Sequence, residues 1–186
     1  MIYIIDHKDS FTHNVVHQFS KFDKNIECEH FSKVNYKKIN KADVIVFSPG
    51  PGSPKDYPTS SKIYKNYKSK KKIIGICLGF QQILYNEKAK IVKQNKIYHG
   101  FQSSVRVTSK KSIFYKNKMF KVGRYHSLKL KEPFSAKNFE ITMRCKISNV
   151  VMAVENKIDH IYGFQFHPES FLTENGNLLI KKILSA

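Results

Sequence analysis

Lys72-Ile73-Ile74-Gly75-Ile76-Cys77-Leu78-Gly79 is the stretch on which the fold turns. Its first half is a short apolar run, the composition of a strand buried on both faces. The residues beyond it, through Gln81 to Tyr85, read as a helix, so the segment runs strand, sharp turn, helix. Gly75-Ile76-Cys77-Leu78-Gly79 at the junction has the G-x-nucleophile-x-G form of a nucleophile elbow, with cysteine in the serine position. Such a turn is tight, and its neighbours must lack side-chain bulk. A thiol at a helix N-terminus also meets free backbone N–H groups and the positive end of the helix dipole, which favour the thiolate. The same residues fit a plain buried cysteine packing strand against helix, and alone they leave both readings open.

Outward from this junction, apolar runs and helical stretches alternate, the pattern of an α/β sheet protein. Ile2 to Ile5, Ile26 to Phe31 and Val44 to Phe47 read as strands. Asp9-Ser10 reads as the cap of a helix carrying Phe11, Val15, Val16 and Phe19 at helical spacing. From about Ile91 to Val154 short β-type runs with polar interruptions predict antiparallel strands. Ile161 to Phe166 predicts one more strand, and Leu178 to Leu184 a closing helix. The expected architecture is a single domain over residues 1–186: a three-layer α/β fold with an open, mostly parallel sheet, helices on both faces, and a small inserted antiparallel β segment.

The length suits one well-buried core, and the 41% hydrophobic and 25% charged residues are ordinary for a folded protein. No apolar run nears the roughly 20 residues of a membrane helix. The start, Met1-Ile2-Tyr3-Ile4-Ile5-Asp6, has no basic leader and does not read as a signal peptide. Cys28, Cys77 and Cys145 are few, odd in number and far apart, which argues for a reducing, cytoplasmic setting over a disulfide framework. Cys28 and Cys145 read as packing residues, and the eight histidines show no metal-ligand spacing. The formal charge of +19 raises nucleic-acid binding, but only Arg106, Arg124 and Arg144 of the 33 basic residues are arginines. Base and phosphate readers lean on the planar arginine fork. The lysines are scattered, and the dense run Lys68-Ser69-Lys70-Lys71-Lys72 reads as a solvated loop.

A cysteine nucleophile needs a base, and the base an orienting group. Gly163-Phe164-Gln165-Phe166-His167-Pro168-Glu169-Ser170 offers both at a strand end. In extended chain, residues two apart point the same way, so His167 and Glu169 can face one another. A surface His-Pro-Glu turn is the bland alternative; the elbow elsewhere in the chain favours chemistry. Ser48-Pro49-Gly50-Pro51-Gly52-Ser53-Pro54 also follows a strand. Its prolines stiffen the loop, and Gly50 and Gly52 can bring backbone N–H groups close to a developing negative charge.

These segments together resemble the class I glutamine amidotransferases, and more narrowly the small subunits of anthranilate and aminodeoxychorismate synthases. The likeness runs from Asp6 and Asp9-Ser10-Phe11-Thr12 through Ser48–Pro54, Gly75–Gln81 and Arg124-Tyr125-His126-Ser127-Leu128 to Phe166–Ser170 with Leu172-Thr173. It implies that Cys77 attacks the side-chain carbonyl of glutamine, with His167 moving protons and Glu169 orienting it. It implies an oxyanion hole from the N–H groups of Gly50 and Leu78. Gly50, Pro51, Gly52, Gln81, Ser127 and Leu128 would hold the rest of the substrate. It also implies a chorismate-binding large subunit that takes up the ammonia and carries the magnesium, with no cofactor in this chain. Neither a nucleic-acid nor a membrane partner is expected.

The chain departs from the family pattern at three places: Phe80 stands where histidine is common, His7-Lys8 where an asparagine-aromatic pair is, and Phe101 where lysine is. Phe101 bears on the docking of the partner. Two other readings stay open at this level: a non-catalytic regulatory or scaffolding relative, and a stand-alone thiol amidase.

Overall fold

The computed structural model describes residues 1–186. Its main sheet has nine strands. The parallel half is laid down by β1 (Ile2–Asp6), β2 (Ile26–His30), β3 (Val44–Phe47), β4 (Lys72–Ile76) and β11 (Ile161–Phe164) in the order β2-β1-β3-β4-β11. The sheet then continues antiparallel through β10 (Val151–Asn156), β9 (Glu140–Cys145), β6 (Phe101–Val107) and β7 (Met119–Arg124). The expected antiparallel region therefore extends the main sheet as well as decorating it. A separate ribbon pairs β5 (Ile91–Lys93) with β8 (Leu128–Leu130).

Strand alternation divides the core in two. Ile2, Ile4, Val44, Val46, Ile74 and Ile76 face α1 (Thr12–Phe19) and α5 (Gly176–Leu184), whose Val15, Phe19, Leu179, Ile180 and Ile183 close that side. Tyr3, Ile5, Ile45, Phe47 and Ile73 face the opposite way, onto α2 (Tyr36–Lys41), α3 (Pro58–Tyr67) and α4 (Leu78–Asn86). Successive side chains on a pleated strand alternate sides, so one apolar run feeds both layers. No helix is long and apolar enough to cross a membrane.

Helices α2 and α3 are additions to the sequence reading. The first buries only Ile39 in a lysine-rich segment, and the second starts on Pro58, so neither shows a strong apolar stripe. Three local expectations are corrected. Asp9 does not cap α1: its carboxylate accepts the Phe11 N–H at 2.8 Å in a turn just before the helix, and no side chain caps α1. Cys28 is exposed on β2 rather than packed, whereas Cys145 is buried. The lysine run is not simply solvated. Lys72 Nζ donates to the carbonyls of Ile183, Leu184 and Ala186 at the end of α5, and Lys68 pairs with Glu87 at 2.5 Å. Long lysine stems let the charge reach carbonyls that a helix C-terminus leaves unbonded.

Candidate active site

Cys77 stands between β4 and α4 with φ 54° and ψ −100°, a conformation in which a side-chain-bearing residue is strained. Such strain costs about 1–3 kcal/mol and persists only where the surroundings over-determine it. Here the Cys77 N–H donates to the Phe164 carbonyl at 2.7 Å, and the Cys77 carbonyl accepts from Gln81 N–H at 3.1 Å. The turn is tight because α4 lies directly on β3: a Cβ on Gly79 would stand 2.1 Å from the Phe47 carbonyl oxygen. Cys77 is left 7% exposed.

His167 follows β11 and bridges to Gly123 on β7, its N–H donating to the Gly123 carbonyl at 3.0 Å. Its Nδ1 lies 2.7 Å from Glu169 Oε1, and both side chains are almost wholly buried. The pairing of these residues is as expected, but the backbone is not extended. His167 to Ser170 form a turn closed by Ser170 N–H donating to the His167 carbonyl at 3.2 Å. Two outside contacts hold that turn. Gln18 on α1 donates to the Pro168 carbonyl at 2.8 Å, and Thr173 Oγ1 donates to the His167 carbonyl at 2.5 Å while accepting the Gly123 N–H at 2.9 Å. Phe11 and Tyr125 pack edge-on against the imidazole at 5.2 and 4.9 Å. Burial works against a charge on His167, but the neighbouring Glu169 carboxylate and Cys77 sulfur outweigh it and hold the imidazole well above its usual pKa. Nε2, the other ring nitrogen, is buried and makes no hydrogen bond within the chain.

The glycine loop is held from beneath by His7. The His7 N–H donates to Ser48 Oγ at 2.9 Å, Nδ1 lies 3.2 Å from the Ser48 carbonyl, and Nε2 lies 2.8 Å from Ser60 Oγ. Burial lowers the His7 pKa to about 4 and keeps the ring neutral. A Cβ on Gly50 would meet Leu78 Cδ2 at 2.5 Å and His7 Cβ at 2.6 Å, so the loop touches the first residue of α4. The N–H groups of Gly50 and Gly52 make no hydrogen bond within the chain. Tyr57 Oη donates to the Pro51 carbonyl at 3.0 Å and ties the loop to the N-terminus of α3.

Gln165 is the site residue that the sequence reading overlooked. Its Nε2 donates to Cys77 Sγ at 3.9 Å and its Oε1 accepts from Gln81 Nε2 at 3.1 Å. Gln81 therefore sits beside the sulfur through a neighbour. The available signal was a polar residue alternating with Phe164 and Phe166 in an apolar strand. Ser127 leads into β8, whose first residue Leu128 pairs with Lys93 of β5; the Ser127 carbonyl accepts the Gln94 N–H at 2.9 Å. Phe80, at the family's usual histidine position, is fully buried and packs with Leu84 and Val154. No three of the His, Cys, Asp and Glu side chains converge on a point that could hold a metal ion.

A strained cysteine at a strand-to-helix turn, with a buried histidine–carboxylate pair and a loop carrying free N–H groups, is the equipment of a thiol-dependent acyl transferase. Residues 3–186 match the family model "Glutamine amidotransferase class-I", and the chain belongs to that family of enzymes. Among curated relatives it is 37% identical to "Anthranilate synthase component 2" of Lactococcus lactis subsp. lactis, over 100% of this chain and 94% of that one. It is 32% identical to the protein of the same name from Cyanidium caldarium, over 100% and 98%. Among solved structures it superposes on a protein assigned to GMP synthase from Thermoplasma acidophilum with a TM-score of 0.84. That match has 20% identity and covers 99% of this chain and 92% of the other, a likeness of fold.

Proposed function

We propose that the chain is the glutaminase subunit of an anthranilate-forming synthase on the path to tryptophan, with Cys77, His167 and Glu169 as its triad. The observation that carries this is the His167–Glu169 pair at 2.7 Å, buried beside a cysteine held at positive φ. The Cys77 sulfur attacks the side-chain carbonyl carbon of glutamine, and the carbonyl electrons move onto oxygen. The N–H groups of Gly50 and Leu78 take the oxyanion. His167 gives its proton to the leaving nitrogen, the C–N bond breaks, and ammonia departs from a thioester on Cys77. His167 then takes a proton from water, the resulting hydroxide attacks the thioester, and the C–S bond breaks to release glutamate. Glu169 keeps the imidazole oriented and supports its charged form throughout. Gly50, Pro51, Gly52, Gln81, Ser127 and Leu128 bind the amino-acid end of the substrate.

The words "component 2" in the names of the relatives support a second subunit. In this reading that subunit binds chorismate with magnesium and uses the ammonia. The exposed Phe101 and Phe171, 48% and 89% accessible, belong to segments that lead to the site and suit that docking. Service to aminodeoxychorismate synthesis is the second reading the motif allows, and the relatives' names favour anthranilate. A complete triad speaks against a non-catalytic scaffold.

The test is mass spectrometry after exposure to a glutamine-mimicking electrophile, alone and with the large subunit. One adduct on Cys77, blocked by glutamine and lost in Cys77→Ser, is expected. In the assembled synthase, Cys77→Ser should lose glutamine-dependent product and keep ammonium-dependent product. Absence of any Cys77 adduct in both settings would sink the proposal.

A further inference from the structure

Arg124 is the largest fully buried side chain of the protein, and it has no carboxylate partner among the chain's ion pairs. A buried guanidinium without an anion is costly, so its position needs another support. The ring of Tyr98 supplies one face, its centroid 3.4 Å from Arg124 Cζ. Nη1 donates to Cys145 Sγ at 3.5 Å, while Nη2 is left without a partner. Arg124 Nε, the remaining donor, points to His126, donating to its Nε2 at 3.1 Å.

That bond and the Leu128 carbonyl together decide the state of His126. A ring whose Nε2 accepts must carry its proton on Nδ1, and Nδ1 lies 2.8 Å from the Leu128 carbonyl. Burial and the Arg124 charge both hold the imidazole neutral, with a pKa lowered to about 3. The segment 94–100 straps the same turn from outside. Gln94 N–H donates to the Ser127 carbonyl, Tyr98 N–H to the His126 carbonyl and Gly100 N–H to the Arg124 carbonyl, at 2.9, 3.2 and 3.0 Å. Between Arg124 and His126, the turn sends Tyr125 to the other side, onto His167 at 4.9 Å and Ser170 Oγ at 3.0 Å.

We infer that Arg124 is a positioning residue: through the Arg124 Nε–His126–Leu128 carbonyl chain it sets the Tyr125–Leu128 turn, which packs against His167 and presents its backbone to the amino-acid end of glutamine. The inference rests on the glutaminase reading and adds to it a residue that touches neither substrate nor sulfur. A carboxylate partner for Arg124 would compete for the guanidinium and release His126. Stacking on Tyr98 and a weak sulfur acceptor leave Nε committed to the imidazole.

The test compares Arg124→Met, Arg124→Lys and His126→Asn with wild type. Asparagine can place an N–H near the position of Nδ1 and so keep the Leu128 bond without Arg124. Arg124→Met and Arg124→Lys should each raise KM for glutamine roughly tenfold or more with a smaller change in kcat, because the binding edge shifts while the triad stays. His126→Asn should restore most of the loss when combined with Arg124→Met. Cys77 alkylation by a small electrophile lacking the amino-acid end should slow far less than labelling by a glutamine mimic in every folded variant. In wild type, nitrogen NMR should find His126 protonated on Nδ1 alone from about pH 5 to about pH 8, with Nε2 shifted as a hydrogen-bond acceptor, and that Nε2 shift should be lost in Arg124→Met. Failure of glutamine-mimic labelling in wild type would remove the glutaminase reading and leave the tautomer measurement standing. Unchanged KM, or a mixed tautomer in wild type, would overturn the role of Arg124. So would a KM and kcat loss that merely tracks the fraction unfolded.

Discussion

His167 Nδ1 and Glu169 Oε1 are 2.7 Å apart within a four-residue turn whose carbonyls are held by Gln18 and Thr173 from two different parts of the chain. The pair is thus positioned by tertiary contacts, and the Glu169 carboxylate and Cys77 sulfur hold the imidazole charged against its burial. The His167 pKa is raised, so the stabilisation it contributes is full below the ordinary histidine value near about 6.5 and is lost as pH rises through the folded value. Urea midpoints should therefore fall on the alkaline side in wild type. In Glu169→Gln only the Cys77 sulfur is left to oppose burial, the charged imidazole is disfavoured, and that alkaline loss should shrink. Glutamine turnover in Glu169→Gln should drop by about 10²-fold or more, measured as glutamate release. An unchanged alkaline slope in the variant would contradict this account.

The two glycine contacts separate stability from activity. Gly79→Ala would drive a methyl to 2.1 Å from the Phe47 carbonyl oxygen, a backbone atom that cannot rotate away, and should destabilise by about 3 kcal/mol or prevent folding. Gly50→Ala meets Leu78 Cδ2 at 2.5 Å, His7 Cβ at 2.6 Å and the His7 carbonyl oxygen at 3.0 Å, a milder clash than at Gly79 because the nearest atom is the end of a flexible side chain. It should lower the thermal midpoint less than Gly79→Ala does, while glutaminase activity falls about 10²-fold, the effect of a displaced oxyanion donor. Equal losses of stability in both variants would be inconsistent with this division.

Acid stability should depend on His7. Its folded pKa is lowered to about 4 by burial, so the unfolded chain binds a proton first as pH falls below the ordinary histidine range. Stability should then decline on acidification from about pH 6.5 to about pH 4, by about 3 kcal/mol from this residue. His7→Gln, which retains hydrogen-bonding capacity without the proton site, should flatten that slope in urea titrations. A wild-type slope retained in the variant would move the cause to other groups.

Tyr125 offers a graded test of the aromatic wall around His167. Tyr125→Phe loses only the bond to Ser170 and should cost about 1 kcal/mol of stability with activity near wild type. Tyr125→Ala opens one side of the imidazole and should lower kcat about tenfold, with circular dichroism unchanged. Matching activities for the two variants would show that the ring contact is dispensable.

The parallel half of the sheet was legible because each buried strand is a short apolar run of its own, from Ile2–Ile5 to Lys72–Cys77. The elbow was legible for a related reason: a cysteine between two glycines at a strand-to-helix junction is a local pattern. His167 and Glu169 were legible as neighbours two residues apart. Helices α2 and α3 were not, because their apolar contacts are few and lie among lysines and polar residues. Gln165 was missed because its significance depends on Cys77 and Gln81, distant in sequence and adjacent only when β11 pairs with β4.

Local pattern was enough for the α/β class, the order of the parallel-strand segments, the elbow and the identity of the three proposed triad residues, since each is written in residues a few positions apart. Three outcomes came only with the folded chain: the antiparallel strands extend the main sheet, His167 and Glu169 meet in a turn, and Arg124 is buried without an anion. They depend on burial and on hydrogen bonds between segments far apart in the chain. A short stretch of residues carries no record of which distant neighbour will remove one of its groups from water.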